Sequence, residues 1–155
     1  MVRRMKDILI LGIGNLLMGD EGIGVHVVRR LNEIGPKDID IVDGGTGGFH
    51  LLEFFQNYKK ILLIDATIDN QPPGTVTVLR PRFSSDYPPT LTAHDIGLKD
   101  LLDAVYLLDK QSDITLFAIS ISPLDKMGTE LSPEVENRIP EIIKRILDYI
   151  QEMKK

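Results

Sequence analysis

The sequence predicts a three-layer α/β/α domain with a mixed five-stranded sheet whose fourth strand is antiparallel. Three observations carry that expectation. Short apolar, β-branched runs alternate with longer amphipathic segments, the pattern of parallel strands joined by crossover helices. The links between them are brief, which implies right-handed crossovers. After the third run the alternation fails, because "TIDNQPPG" (67–74) is too short for a crossover helix and carries two prolines.

The elements follow in order. "DILILG" (7–12) reads as a buried strand closed by glycine. A helix over 21–34 is expected from Ile23, Val27, Val28, Leu31 and Ile34 at helical spacing, with Gly35-Pro36 as its stop. "DIDIVDGG" (38–45) is a second strand, "GFHLLEFFQN" (48–57) a short helix, and "KILLIDA" (60–66) a third strand. "TVTVLR" (75–80) alternates as a strand does and is expected to run antiparallel to the third. Residues 81–93 form a proline-punctuated loop, and loops of that length inside a compact domain are usually functional or mobile. A helix at about 95–108 and a strand at 113–121 come next. A final helix over 132–153 has Ser132 as N-cap, Pro133 at its first position and Pro140 as a kink near its first turns.

Composition narrows the function. The chain has 155 residues, which suits one domain spanning 1–155. Its net charge of −5, without a basic stripe, argues against nucleic acid as a partner. Cysteine is absent, which removes disulfides, thiolate metal sites and a cysteine nucleophile together. No apolar stretch approaches the roughly 18 residues of a membrane span. The N-terminus is basic and then apolar like a signal peptide, but the short apolar run flows straight into a structured "GNLLMGDEG" segment. A cytoplasmic protein is expected.

The segment "LGIGNLLMGDEGIG" (11–24) places a glycine-rich turn directly after the first strand. It fails the dinucleotide pattern G-x-G-x-x-G, since Leu17 stands at the third glycine. Gly14 and Gly19 meet the P-loop spacing, but Asp20 and Glu21 stand where Lys and Ser or Thr belong. Carboxylates repel phosphate, so the turn points towards a cation. The plain reading of Asp20 is helix N-cap; Glu21 is less easily dismissed, because Gly22 and Gly24 weaken the turn after it.

Other polar groups share the same predicted sheet edge. Asp65 ends the third strand, Asp43 ends the second before "GGTGG", and His94 stands where a loop becomes a helix. Taken singly, Asp65 and Asp43 read as turn residues and His94 as a cap or satisfied polar group. Together, Glu21, Asp65 and His94 make two carboxylates and an imidazole, a donor set for a divalent first-row metal with open positions for water or substrate. His26, one turn into the first helix, is either solvated or a support for that site. His50 lacks the second histidine of the zinc-protease motifs, since Phe54 stands there.

These motifs carry a family likeness. "GIGNLLMGDEGIG" (12–24), "DGGTGGFHLL" (43–52), "LLIDA" (62–66), "PPGTV" (72–76) and "HDIGL" (94–98) resemble, in order and spacing, the hydrogenase maturation endopeptidases. The resemblance implies a phosphorylase/hydrolase-like α/β/α fold and metal-binding positions at Glu21, Asp65 and His94. It also implies the activity: removal of a short C-terminal extension from the large-subunit precursor of a nickel–iron hydrogenase once nickel is inserted. Nickel is the implied metal, either resident or supplied by the precursor. With no cysteine and no G-x-S-x-G elbow, metal-assisted recognition or hydrolysis is expected, with Glu21, Asp65 and His94 as catalytic and metal-binding residues. The 44–48 segment and the 81–93 loop are the expected bed for the peptide. Two rivals remain: a non-catalytic nickel-binding module of hydrogenase assembly, and a nucleotide-binding α/β domain.

Overall fold

The computed structural model describes residues 6–36, 38–93, 97–108, 112–123 and 128–155. Five strands form one sheet: β1 (Lys6–Gly12), β2 (Asp40–Asp43), β3 (Tyr58–Thr67), β4 (Val76–Leu79) and β5 (Asp113–Ser120). Their order is β2-β1-β3-β5-β4, with β4 antiparallel to β5 and the other pairs parallel. The mixed sheet and the reversed fourth strand agree with the sequence. The hydrogen-bonding partner differs: β4 lies antiparallel to β3 in direction but pairs with β5, which inserts between them. β5 is buried along almost its whole length and pairs with β3 from Lys60↔Asp113 to Thr67↔Ser120, whereas the four-residue β4, with prolines at 72, 73 and 81 on either side, suits an edge.

Helices cover both faces. On one, α1 (Ile23–Ile34), α4 (Pro133–Glu136) and α5 (Ile139–Met153) enclose Ile10, Leu62, Ile64, Phe117 and Ile119. On the other, α2 (Leu52–Asn57), α3 (Leu98–Val105) and the 81–93 segment enclose Leu9, Leu11, Ile61, Leu63 and Leu116. Alternation along β3 therefore sends Asp65 to the α2/α3 face, in line with Ile61 and Leu63. Gly35 ends α1 as expected, its N–H bonding the Leu31 carbonyl.

Helical boundaries differ from expectation: α1 begins at Ile23, after a 3-10 turn over Gly19–Gly22, and α2 at Leu52, after one over Phe49–Leu51. The helix read as 132–153 is two helices, broken at Asn137–Arg138. Pro140 lacks an N–H and its ring would meet the carbonyl of Glu136, so it is accommodated only in the first turn of a new helix. The helix read as 95–108 is observed as α3, and its expected ends at 95–96 and the link at 109–111 lie outside the described residues. Ser132 is the N-cap of α4, accepting from Val135 N–H at 3.4 Å, with Pro133 in the first turn.

The chain leaves β1 towards β2 on one side, over α1, and reaches β3 on the other, over α2. The carboxyl ends of β1 and β3 thus form the switch point of the sheet. There α1 touches the strands backbone to backbone: a Cβ on Gly24 would lie 2.4 Å from the Ile13 carbonyl oxygen and 2.5 Å from that of Ile64. We expect Gly24→Ala to lower stability by about 3 kcal/mol or more in urea unfolding. Gly128→Ala, where the added methyl meets open space, should stay within about 0.5 kcal/mol of the parent.

Candidate active site

The site grows from the turn after β1. Ile13 N–H bonds the Ile64 carbonyl at 3.0 Å, and Gly14 N–H bonds the Gly45 carbonyl at 2.7 Å, so the turn is tied to both neighbouring strand ends. Gly14, at φ 152°, lies against the peptide of Glu21, whose carbonyl oxygen would be 2.3 Å from any Cβ there. Asn15 Oδ1 accepts the Leu17 N–H at 3.0 Å and tightens the bend. The chain then makes a 3-10 turn over Gly19–Gly22, packed on β3, and this turn presents the half-buried Glu21.

Asp65 is fully buried, with 0% of its surface exposed. Its Oδ1 accepts the Thr92 hydroxyl at 3.2 Å and its Oδ2 the Ala93 N–H at 3.1 Å. Burial pushes its pKa up to about 7. The N–H groups of Ala93 and Ala66 and the Thr92 hydroxyl pull it down, while the negative charge of Glu21 pushes it up again. The structure therefore brings Glu21 and Asp65 within electrostatic reach of each other. His94 lies outside the described residues, although Ala93, the residue before it, bonds directly to Asp65. Among the described residues no group of three His, Asp or Glu side chains forms a metal cluster.

The other candidates separate. Asp20 does not cap the first helix, which corrects the expectation: neither the 3-10 turn nor α1 has a side-chain cap, and both Asp20 oxygens instead accept from Ser132. Asp43 behaves as a turn residue, its Oδ1 accepting Gly45 N–H at 2.9 Å and its Oδ2 3.5 Å from Arg29. His26 is half-buried and hydrogen-bonds the backbone at Thr129. Burial lowers its pKa, and its charged neighbours are Arg29, Arg30 and Glu136. His50 is exposed in the 3-10 turn Phe49–Leu51. A cavity of about 600 Å³ lined by Arg80, Arg82, Tyr106 and Asp113 sits at the start of β5, the opposite end of the sheet from Asp65.

The sequence did not single out the groups that hold Asp65. The 81–93 segment is a packed strap, with Tyr87, Leu91 and Ala93 buried. It is pinned by Thr67 Oγ1 to Thr90 Oγ1 at 2.7 Å and Ile68 N–H to the Thr90 carbonyl at 3.0 Å. The only signal in the sequence was the threonines of "PPTLTA" beside a strand-end aspartate.

Residues 25–149 match the family described as hydrogenase maturation protease, and this covers most of the chain. The chain belongs to the hydrogenase maturation protease family. The "Hydrogenase 2 maturation protease" of Escherichia coli (strain K12) is 32% identical over 150 residues, spanning 94% of this chain and 91% of the relative. Among solved structures, the hydrogenase maturating endopeptidase HybD from E. coli superposes with a TM-score of 0.82 at 32% identity, covering 94% and 93% of the two chains. The [NiFe] hydrogenase maturation protease HybD from Thermococcus kodakarensis gives 0.76 at 29% identity, over 92% and 98%.

In this maturation protease the pKa of Asp65 sets a pH signature. Folded Asp65 keeps its proton up to about pH 7, whereas an unfolded aspartate releases it near 3.8. The folded state therefore binds more protons between those values, and stability falls as pH rises through that window. In metal-free protein, Asp65→Asn should remove this slope and be the more stable form above pH 7, by on the order of a few kcal/mol. Urea unfolding at pH 4 to 8 measures it.

Proposed function

We propose that the chain removes the C-terminal extension of a nickel–iron hydrogenase large-subunit precursor after nickel insertion, reading the metal through Glu21, Asp65 and His94. The observation that carries this is the buried Asp65 at the carboxyl edge of the sheet, its pKa raised to about 7 by burial first and, to a smaller degree, by the charge of Glu21. Two carboxylates held against each other are stabilised by a cation between them, and a carboxylate–imidazole donor set suits a divalent first-row metal. The place of His94 in that set rests on the family resemblance and on Ala93, its neighbour, bonding to Asp65.

The nickel arrives as part of the precursor, so the protease tests its substrate for metal before cutting. The chemistry then needs a water to add to the scissile carbonyl and a proton to reach the departing amine. Nickel beside the scissile bond would polarise that carbonyl or acidify the water. Asp65, buried and held by the Thr92 hydroxyl and the Ala93 N–H, would present a fixed carboxylate to that metal, and the proton released by the attacking water supplies the departing amine. The 44–48 segment, joined to the β1 turn through Gly14 N–H and the Gly45 carbonyl, and the strap above Asp65 form the bed for the extended peptide. No helix among the described residues is long and apolar enough to cross a membrane. The cytoplasm is the compartment this proposal gives the reaction.

The test is cleavage of nickel-loaded and nickel-free precursor by the parent chain and by Glu21→Gln, Asp65→Asn and His94→Ala. Each variant should lose at least about a hundredfold, at or beyond the upper end of the 10- to 100-fold typical of groups one step from a metal. Nickel-free precursor should remain uncut by all. Full-rate cutting of nickel-free precursor would overturn metal reading. Tight binding of loaded precursor with no cleavage by the parent would turn the protein into an assembly module.

A further inference from the structure

We infer that Asp20 is a positioning residue, whose buried bond to Ser132 holds Glu21 in the orientation that the site requires. The inference rests on the role proposed above for Glu21 in reading the metal and extends it to a residue outside the proposed donor set.

Glu21 rides on a short 3-10 turn that has no side-chain cap at Met18 or Gly22. The turn is closed locally by the Glu21 N–H on the Met18 carbonyl at 3.1 Å, and the neighbouring Asp20 ties it to the other end of the chain. Asp20 is only 3% exposed. Its Oδ1 accepts the Ser132 N–H at 2.7 Å and its Oδ2 accepts the Ser132 hydroxyl, also at 2.7 Å. Charge-assisted bonds of this length are about twice as strong as neutral ones. The hydroxyl proton goes to Asp20 while an oxygen lone pair receives Val135 N–H, so Ser132 joins the turn to the start of α4.

The anchor itself is firm. Val135 of α4 is fully buried, and Glu136 pairs with Arg30 of α1 at 2.6 Å. A second tie runs beside the first: Gly19 N–H bonds the Gly128 carbonyl at 2.7 Å, and Gly128 N–H bonds the Leu17 carbonyl at 2.8 Å. The backbone just before Asp20 is thereby clamped, and Glu21, whose own N–H bonds the Met18 carbonyl at 3.1 Å, inherits the direction. A buried carboxylate is a costly way to fasten a turn when apolar contacts would do. Its directionality is what apolar packing lacks, and direction is what a neighbouring acidic side chain needs in order to face Asp65.

The experiment uses the full chain and a nickel-loaded large-subunit precursor, with kcat, KM and thermal unfolding measured for each variant. Asp20→Asn and Ser132→Ala should lower kcat about 10- to 100-fold with KM little changed, and Ser132→Thr, which keeps the hydroxyl, should retain most of the parent rate. The decisive comparison is Asp20→Asn added to Glu21→Gln, followed with enzyme in excess over precursor. A group acting through Glu21 causes no further loss there. Should Asp20→Asn unfold, Ser132→Ala added to Glu21→Gln makes the same comparison with the buried carboxylate kept. The Ser132 amide proton gives a readout without turnover: bonded to a carboxylate it resonates downfield, and Asp20→Asn should move it upfield. An unchanged kcat in folded Ser132→Ala overturns the inference, as does a multiplicative loss in the Glu21→Gln background. Wild-type cleavage by Glu21→Gln is a different failure: it removes Glu21 from the site, and the positioning role goes with it.

Discussion

Where α1 crosses the ends of β1 and β3 there is no room for a side chain, and the placement of the acidic turn follows from that contact. Gly24 lies against the carbonyls of Ile13 and Ile64, and a Cβ on Gly12 would meet the Gly24 carbonyl oxygen at 2.2 Å. Backbone packed this closely fixes the height of the helix start above the sheet. The preceding turn has only a few residues in which to rise from β1, fold over Gly14 and enter α1. Glu21 is consequently held over the switch point of the sheet, where Asp65 stands two residues before the end of β3. A looser helix would leave the two acids at unrelated heights.

Most of the fold was legible because its central strands are buried on both faces and read as continuous apolar runs between glycines and prolines. What escaped was non-local. The 75–80 strand advertised its alternation but not its neighbour, since the residues that separate it from β3 lie more than thirty positions further on. Asp20 looked like a cap because acids at helix starts usually are; its true partner stands 112 residues away, with no trace in local spacing. The electrostatic approach of Glu21 to Asp65 was readable from topology, as the acidic turn follows β1 and Asp65 lies near the carboxyl end of β3. Its support was not, because the Ala93 N–H that steadies Asp65 is a backbone group, and any residue but proline supplies one.

Asp65 shows what the site costs the fold. A carboxyl group with no exposed surface, beside another acid, opposes folding whenever it is ionised. The surrounding strap limits that penalty with two hydrogen bonds and does not remove it. Such a residue persists because the apolar layers on both faces of the sheet overdetermine the structure around it.

The bond between Asp20 and Ser132 also bears on the order in which the protein is made. Synthesis proceeds from the N-terminus, so Asp20 leaves the ribosome 112 residues ahead of the serine that holds it. At about 5–20 residues per second, that interval is roughly 6 to 22 seconds. During it the first βαβ unit is free to collapse on its own apolar contacts, while the acidic turn waits for the last two helices. A nascent chain thus lacks the partner of Asp20 until Ser132 has emerged.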